Sequence, residues 1–147
     1  MPWKVRNSRW TKVDDYVEDL LIPADPILDA ALKASAAAGL PDIAVTPSQG
    51  KVLHLLARMQ QARRILEIGT LGGYSTIWLA RALPSGGQIT TLELAPHHAE
   101  VARANLLNAG VLDRVDLRVG PALDTLKSLV AANAAPFDLI FIDAEIG

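Results

Sequence analysis

The chain has 147 residues, of which 50% are hydrophobic, 20% charged and 5% aromatic, with a net charge of −2. That length suits one domain, and so apolar and weakly charged a composition excludes a disordered chain. With 14 basic residues against 16 acidic ones there is no electrostatic footprint for nucleic acid or anionic lipid. No apolar run approaches the roughly 18 residues that span a membrane. The absence of cysteine excludes disulfides, thiolate metal sites and cysteine nucleophiles. The basic start, MPWKVRNSRW, holds Trp3 and Trp10 but no apolar signal-peptide core. A soluble, cytoplasmic protein is expected.

In chain order, Thr11 to Leu21 places Val13, Tyr16, Val17, Leu20 and Leu21 at helical spacing until Pro23 interrupts. Asp25 reads as an N-cap before Pro26, opening a helix to about Ala38 that Gly39 and Pro41 close. A third helix follows Val45-Thr46-Pro47-Ser48, with Ser48 as its cap and Val52, Leu53, Leu55, Leu56 and Met59 as its buried stripe. From Arg64 short apolar strands alternate with amphipathic helices. The strands are 64–68, 88–94, 115–119 and 137–142; the helices between them are 73–83, 96–109 and 122–132. This alternation predicts βαβ crossovers and a parallel sheet with helices on both faces. Ligands on such sheets bind at the carboxyl ends of the strands, beside a switch in strand order.

The first strand runs into Glu67-Ile68-Gly69-Thr70-Leu71-Gly72-Gly73-Tyr74-Ser75. Its glycines allow a sharp turn and close backbone approach to a ligand, and the next helix offers its N-terminus to an anion. A dinucleotide fingerprint counted from Gly69 needs glycine where Leu71 and Tyr74 stand, and no lysine follows as in a phosphate loop. Glu67, a carboxylate at the end of a buried strand, calls for a partner: a ligand ammonium, or else backbone N–H groups of the turn. Glu93 closes the second strand, where an acid reaches a ribose diol in nucleoside-binding α/β folds. A nucleoside at one end and an amino acid at the other describe S-adenosylmethionine.

These residues resemble the class I methyltransferases, and more narrowly the metal-dependent O-methyltransferases of the catechol and caffeoyl-coenzyme A type. The resemblance runs from Val13-Asp14-Asp15-Tyr16 to Phe141-Ile142-Asp143-Ala144. It implies a Rossmann-like methyltransferase fold with an N-terminal helical segment, 1–60, packed on an S-adenosylmethionine-binding core, 61–147, that stops after the fourth strand. It implies cofactor contacts from Glu67, Gly69, Thr70, Gly73, Tyr74 and Ser75, with Ser75 on the methionine carboxylate. Glu93 takes the ribose and Gly120-Pro121-Ala122 the adenine, while Val45 belongs to a segment folding over the cofactor. Asp143 is implied both as a ligand of a divalent cation such as magnesium and as the acid beside the transferring methyl.

The pattern departs at Ile146, where the family has a lysine. The family's Asp-Asn metal-ligand pair would fall past Gly147. The fourth strand is expected at an uncovered sheet edge, which favours a homodimer or other self-association. The small, aromatic hydroxyl acceptor is unspecified, and a non-catalytic cofactor-binding or assembly module is the alternative function. Adjacent on a helix, His97 and His98 point too far apart to form a ligand pair. His54 is expected at the core border and Trp78 against the sheet, and Ser75 has no His-Asp context for hydrolysis.

Overall fold

The structure is a computed structural model that describes residues 8–144; Trp3 and Ile146 lie outside them. Three helices, α1 (Ser8–Leu21), α2 (Pro26–Ala37) and α3 (Pro47–Met59), precede an alternating segment. That segment is β1 (Arg64–Ile68), α4 (Tyr74–Ala82), β2 (Gln88–Glu93), α5 (Pro96–Asn108), β3 (Val115–Val119), α6 (Ala122–Ala131) and β4 (Leu139–Ile142). All strand pairs are parallel, in the order β3-β2-β1-β4. The order reverses at β1, so a switch point opens between β1 and β4, where an open α/β sheet offers a crevice to a ligand.

Alternation along the strands sorts the core into two faces. Ile65, Ile89, Leu117 and Phe141 pack with α2, α4 and α5 in the main cluster, whereas Leu66, Ile68 and Leu92 meet Ala122 and Leu126 of α6. The expectation of helices on both faces is met, unequally. β4 pairs only with β1, and its Ile140 and Ile142 remain exposed on the α6 face. Among the described residues no helix is long and apolar enough to cross a membrane.

The N-cap expected at Asp25 forms: Oδ1 accepts from the N–H groups of Ile27 at 3.0 Å and Leu28 at 3.1 Å, while Oδ2 holds Arg81 of α4. Two expectations for α3 fail. Its cap is Thr46, which accepts from Gln49 N–H at 3.2 Å while the Gln49 side chain accepts from Thr46 N–H at 2.9 Å; Ser48 is already inside the helix. Of the expected stripe of large apolar residues only Leu53 packs against the core: Val52, Leu55, Leu56 and Met59 are exposed, and Gly50 and Ala57 are buried. The reason is close approach. The Trp78 ring of α4 occupies the space a Cβ on Gly50 would take, so small residues make the α3–α4 contact. Trp78 therefore packs between two helices, with its carbonyl 3.0 Å from His54 Nδ1.

Candidate functional site

Main-chain bonds gather the carboxyl ends of the strands into one edge. Gly69 N–H donates to Leu92 carbonyl at 2.9 Å, Gly120 N–H to Glu93 carbonyl at 2.9 Å, and Asp143 N–H to Ile68 carbonyl at 2.8 Å. The turn leaving β1 takes left-handed φ values at Gly69 (101°), Leu71 (52°) and Gly73 (85°), a conformation that suits glycine and strains leucine. At Gly69 the space for a Cβ is filled by the backbone carbonyl of Asp143. Gly73 starts α4 with no side-chain cap, leaving that helix's positive end to the turn.

Glu67 has no solvent exposure. Its partners in the protein are three hydroxyls rather than backbone N–H groups: Ser75 donates to Oε1 at 2.5 Å, and Thr76 and Thr91 donate to Oε2 at 2.5 and 2.7 Å. With its proton given to Glu67, Thr91 accepts from Thr70, 2.6 Å away. Burial pushes the Glu67 carboxyl above the usual range; the three hydroxyls offset part of this, and the charge of Asp143 adds to it. Hydroxyls from α4 and β2 thus supply Glu67 with partners inside the protein. Ser75 is a donor as expected, but it donates to Glu67.

Glu93 differs. It is 8% exposed, with Oε2 accepting from Leu71 N–H at 2.7 Å and Oε1 from Ala95 N–H at 3.0 Å. A carboxylate offers about four lone-pair sites, so it retains capacity for a diol while gripping the turn. His98 Nδ1 stands 3.5 Å from Oε1, and His97 instead meets Ala38 carbonyl at 2.9 Å, so the two imidazoles serve different partners.

The remaining expected residues are more scattered. Tyr74 is buried in the main core, and burial raises its hydroxyl pKa. Val45 is half-buried against the same core, just before the Thr46 cap. Gly120 has left-handed φ with open space around it, Pro121 precedes α6, and Ala122 packs on the second face. Asp143 lies exposed past the end of β4, its carboxyl raised by partial desolvation. Among the described residues no three His, Cys, Asp or Glu side chains gather as a metal site. Asp143 would give magnesium a single carboxylate, and the rest of its octahedral oxygen shell would have to come from water or from other groups.

Sequence reasoning missed Thr76, Thr91 and Asn105, whose amide donates to Gly72 carbonyl at 2.8 Å. Thr91 had a usable signal, because a threonine in register with a buried acid can supply the bond that acid needs.

The pattern of the O-methyltransferase family matches residues 21–146. The chain belongs to the O-methyltransferase family. It is 60% identical over 133 residues to a catechol O-methyltransferase of Mycobacterium tuberculosis, covering 90% of this chain and 59% of that protein. It is 52% identical over 141 residues to a catechol O-methyltransferase of Niastella koreensis, covering 96% of this chain and 64% of that one. An O-methyltransferase from Bacillus cereus solved in complex with SAH superposes with a TM-score of 0.91 at 55% identity, covering 93% of this chain and 62% of that structure. The chain therefore spans about three fifths of the length of these relatives.

Proposed function

We propose that the chain binds S-adenosylmethionine and forms the methyl-donor half of an O-methyltransferase acting on a small aromatic hydroxyl compound. The observation that carries this reading is the bond from Leu71 N–H to Glu93 Oε2, 2.7 Å long. It joins the glycine turn to the strand-end acid and makes one receptor of them. The SAH in the Bacillus cereus relative and the catechol enzymes among the relatives support donor and acceptor class.

Glu93 holds the ribose hydroxyls with its free lone pairs. The uncapped start of α4 receives the methionine carboxylate through its first N–H groups, and Ser75 joins them by turning its hydroxyl away from Glu67. Gly120, Pro121 and Ala122 form the wall beside the adenine, and Val45 closes over the opposite side. When bound, S-adenosylmethionine supplies a methyl group on a positively charged sulfur, open to displacement by an acceptor oxygen. Asp143 lies at the switch point, near that sulfur and the incoming acceptor. It is also where a divalent cation would sit in the family, but the described residues do not complete such a site, and none of these roles depends on one.

Calorimetric titration with S-adenosylhomocysteine tests the reading. Glu93→Ala is expected to weaken binding by about 1–3 kcal/mol, the usual cost of unpaired buried polar groups. An unchanged affinity would reject the ribose role.

The alternative reading, a non-catalytic binding or assembly module, shares the receptor and dispenses with transfer. Exposed apolar side chains favour its assembly part: Val52, Leu55, Leu56 and Met59 on α3, and Ile140 and Ile142 on β4. Surfaces of this kind favour self-association as a homodimer. Methyl transfer to a catechol by the chain itself would exclude the non-catalytic alternative.

A further inference from the structure

We propose that Asn105, buried in α5, is a positioning residue for the glycine turn: its amide clamps the Gly72 carbonyl from beneath while Glu93 holds the preceding residue from the strand side. The functional consequence rests on the methyl-donor reading; the geometry stands without it.

Asn105 is 6% exposed. Its Nδ2 lies 2.8 Å from Gly72 carbonyl, 3.3 Å from Ala31 carbonyl and 3.4 Å from Ser35 Oγ. Two of these partners are carbonyl oxygens, which only accept, so the NH2 end of the amide faces them. Ser35 spends its own proton on Ala31 carbonyl at 2.8 Å and leaves its oxygen to accept. One amide therefore ties together α2, α5 and the turn, and its shortest bond goes to the turn.

The glycines fit this support. A Cβ on Gly72 would run into the Ser35 side chain, and Gly73 lies over Ala102, one helical turn before Asn105. Thus α5 places a small residue under one glycine and a hydrogen-bond donor under the other. A polar side chain so deeply buried costs stability unless it is bonded. Here the shortest bond goes to the glycine turn, which the methyl-donor reading sets against the cofactor. Glu93 would touch the cofactor itself; Asn105 lies beneath the turn and acts only through Gly72.

The test titrates S-adenosylhomocysteine into the full chain and follows amide hydrogen exchange of residues 70–74 in the same samples. Asn105→Leu keeps the number and branching of the side-chain heavy atoms and loses the donor. It is expected to weaken binding about tenfold, the factor of one lost hydrogen bond, and to speed exchange at 70–74 while the β1 and β2 amides stay protected. Asn105→Asp, which turns an oxygen towards two carbonyls, should lose more. Ser35→Ala removes another member of the cluster but leaves Gly72 held, so it should bind within about twofold of the unaltered chain. Equal losses in Asn105→Leu and Ser35→Ala would overturn the clamp, as would an Asn105→Leu chain that binds and exchanges normally. If Asn105→Leu does not fold, Asn105→Ser carries the same comparison. If the unaltered chain does not bind, the methyl-donor reading fails, and exchange at 70–74 alone still decides for or against the clamp.

Discussion

On the α4 face of the sheet, Ile65, Ile77, Leu79 and Ile89 have no solvent exposure, whereas on the α6 face Ile140 and Ile142 keep 56% and 53% of theirs. The difference follows from what covers each face. Helices α2, α4 and α5 close over the first, with α3 behind α4; among the described residues α6 is the helix on the second, and it contributes no buried residue. The polar groups of the site divide in the same way. Glu67, Thr91, Ser75, Thr76 and Asn105 belong to the closed side, where every carboxylate and amide bond is sheltered from competing water. Precise placement of a ligand-facing turn requires such a backing.

The strongest way to break this contrast is a cavity on each side. Leu79→Ala should cost about 2–5 kcal/mol, as large-to-small changes in well-packed cores do, read by denaturant unfolding. A loss below about 1 kcal/mol would show that the α4 face collapses around the hole and is less rigid than described.

The second test uses pH. The raised carboxyl of Glu67 binds its proton more tightly folded than unfolded, so its contribution to stability is full below the unfolded value near 4.5 and is lost as pH rises through the folded value. Glu67→Gln should remove this fall, flattening Tm against pH on the alkaline side of 4.5. Profiles that stay parallel would show that burial does not set the protonation of Glu67.

Asp25 has the opposite sign. Burial pushes it up, but Arg81 and the N–H groups of Leu28 and Ile27 outweigh burial and hold it below the ordinary aspartate value of 3.8. Its stabilisation is present above that value and disappears as pH falls. Asp25→Ala should cost about 1 kcal/mol at neutral pH through the lost cap, and less in acid. The smallest effect belongs to the open face: Ile140→Ser should change stability by no more than about 0.5 kcal/mol. Sedimentation would show whether it also reduces self-association; a large loss of stability would mean that the α6 face is packed after all.

Much of the architecture was legible in the sequence. The run from Ile65 to Ile68 is apolar apart from Glu67 and stops at a glycine, so β1 stood out, and β3 was bounded as clearly. The α3 stripe misled because periodicity locates an apolar face without saying what it meets. Gly50, which admits the Trp78 ring, and the buried Ala57 carry little hydrophobic signal of their own. In the site, the strand-end acids stood out because charge is costly there. The hydroxyls around Glu67 did not, because residues 75, 76 and 91 come together only through the turn into α4 and the β1–β2 register. Asn105 gave no warning: in a one-dimensional reading it is one polar residue in an ordinary amphipathic helix.

The bare α-carbon of Gly69 acts as a spacer of zero width. Because the Asp143 carbonyl occupies the volume of the missing methyl, the tips of β1 and β4 touch, and any larger residue would drive a wedge between them. The gap separating the donor-side turn from the acid at the crossover is therefore gauged by an atom that is not there. Even alanine at 69 would widen it.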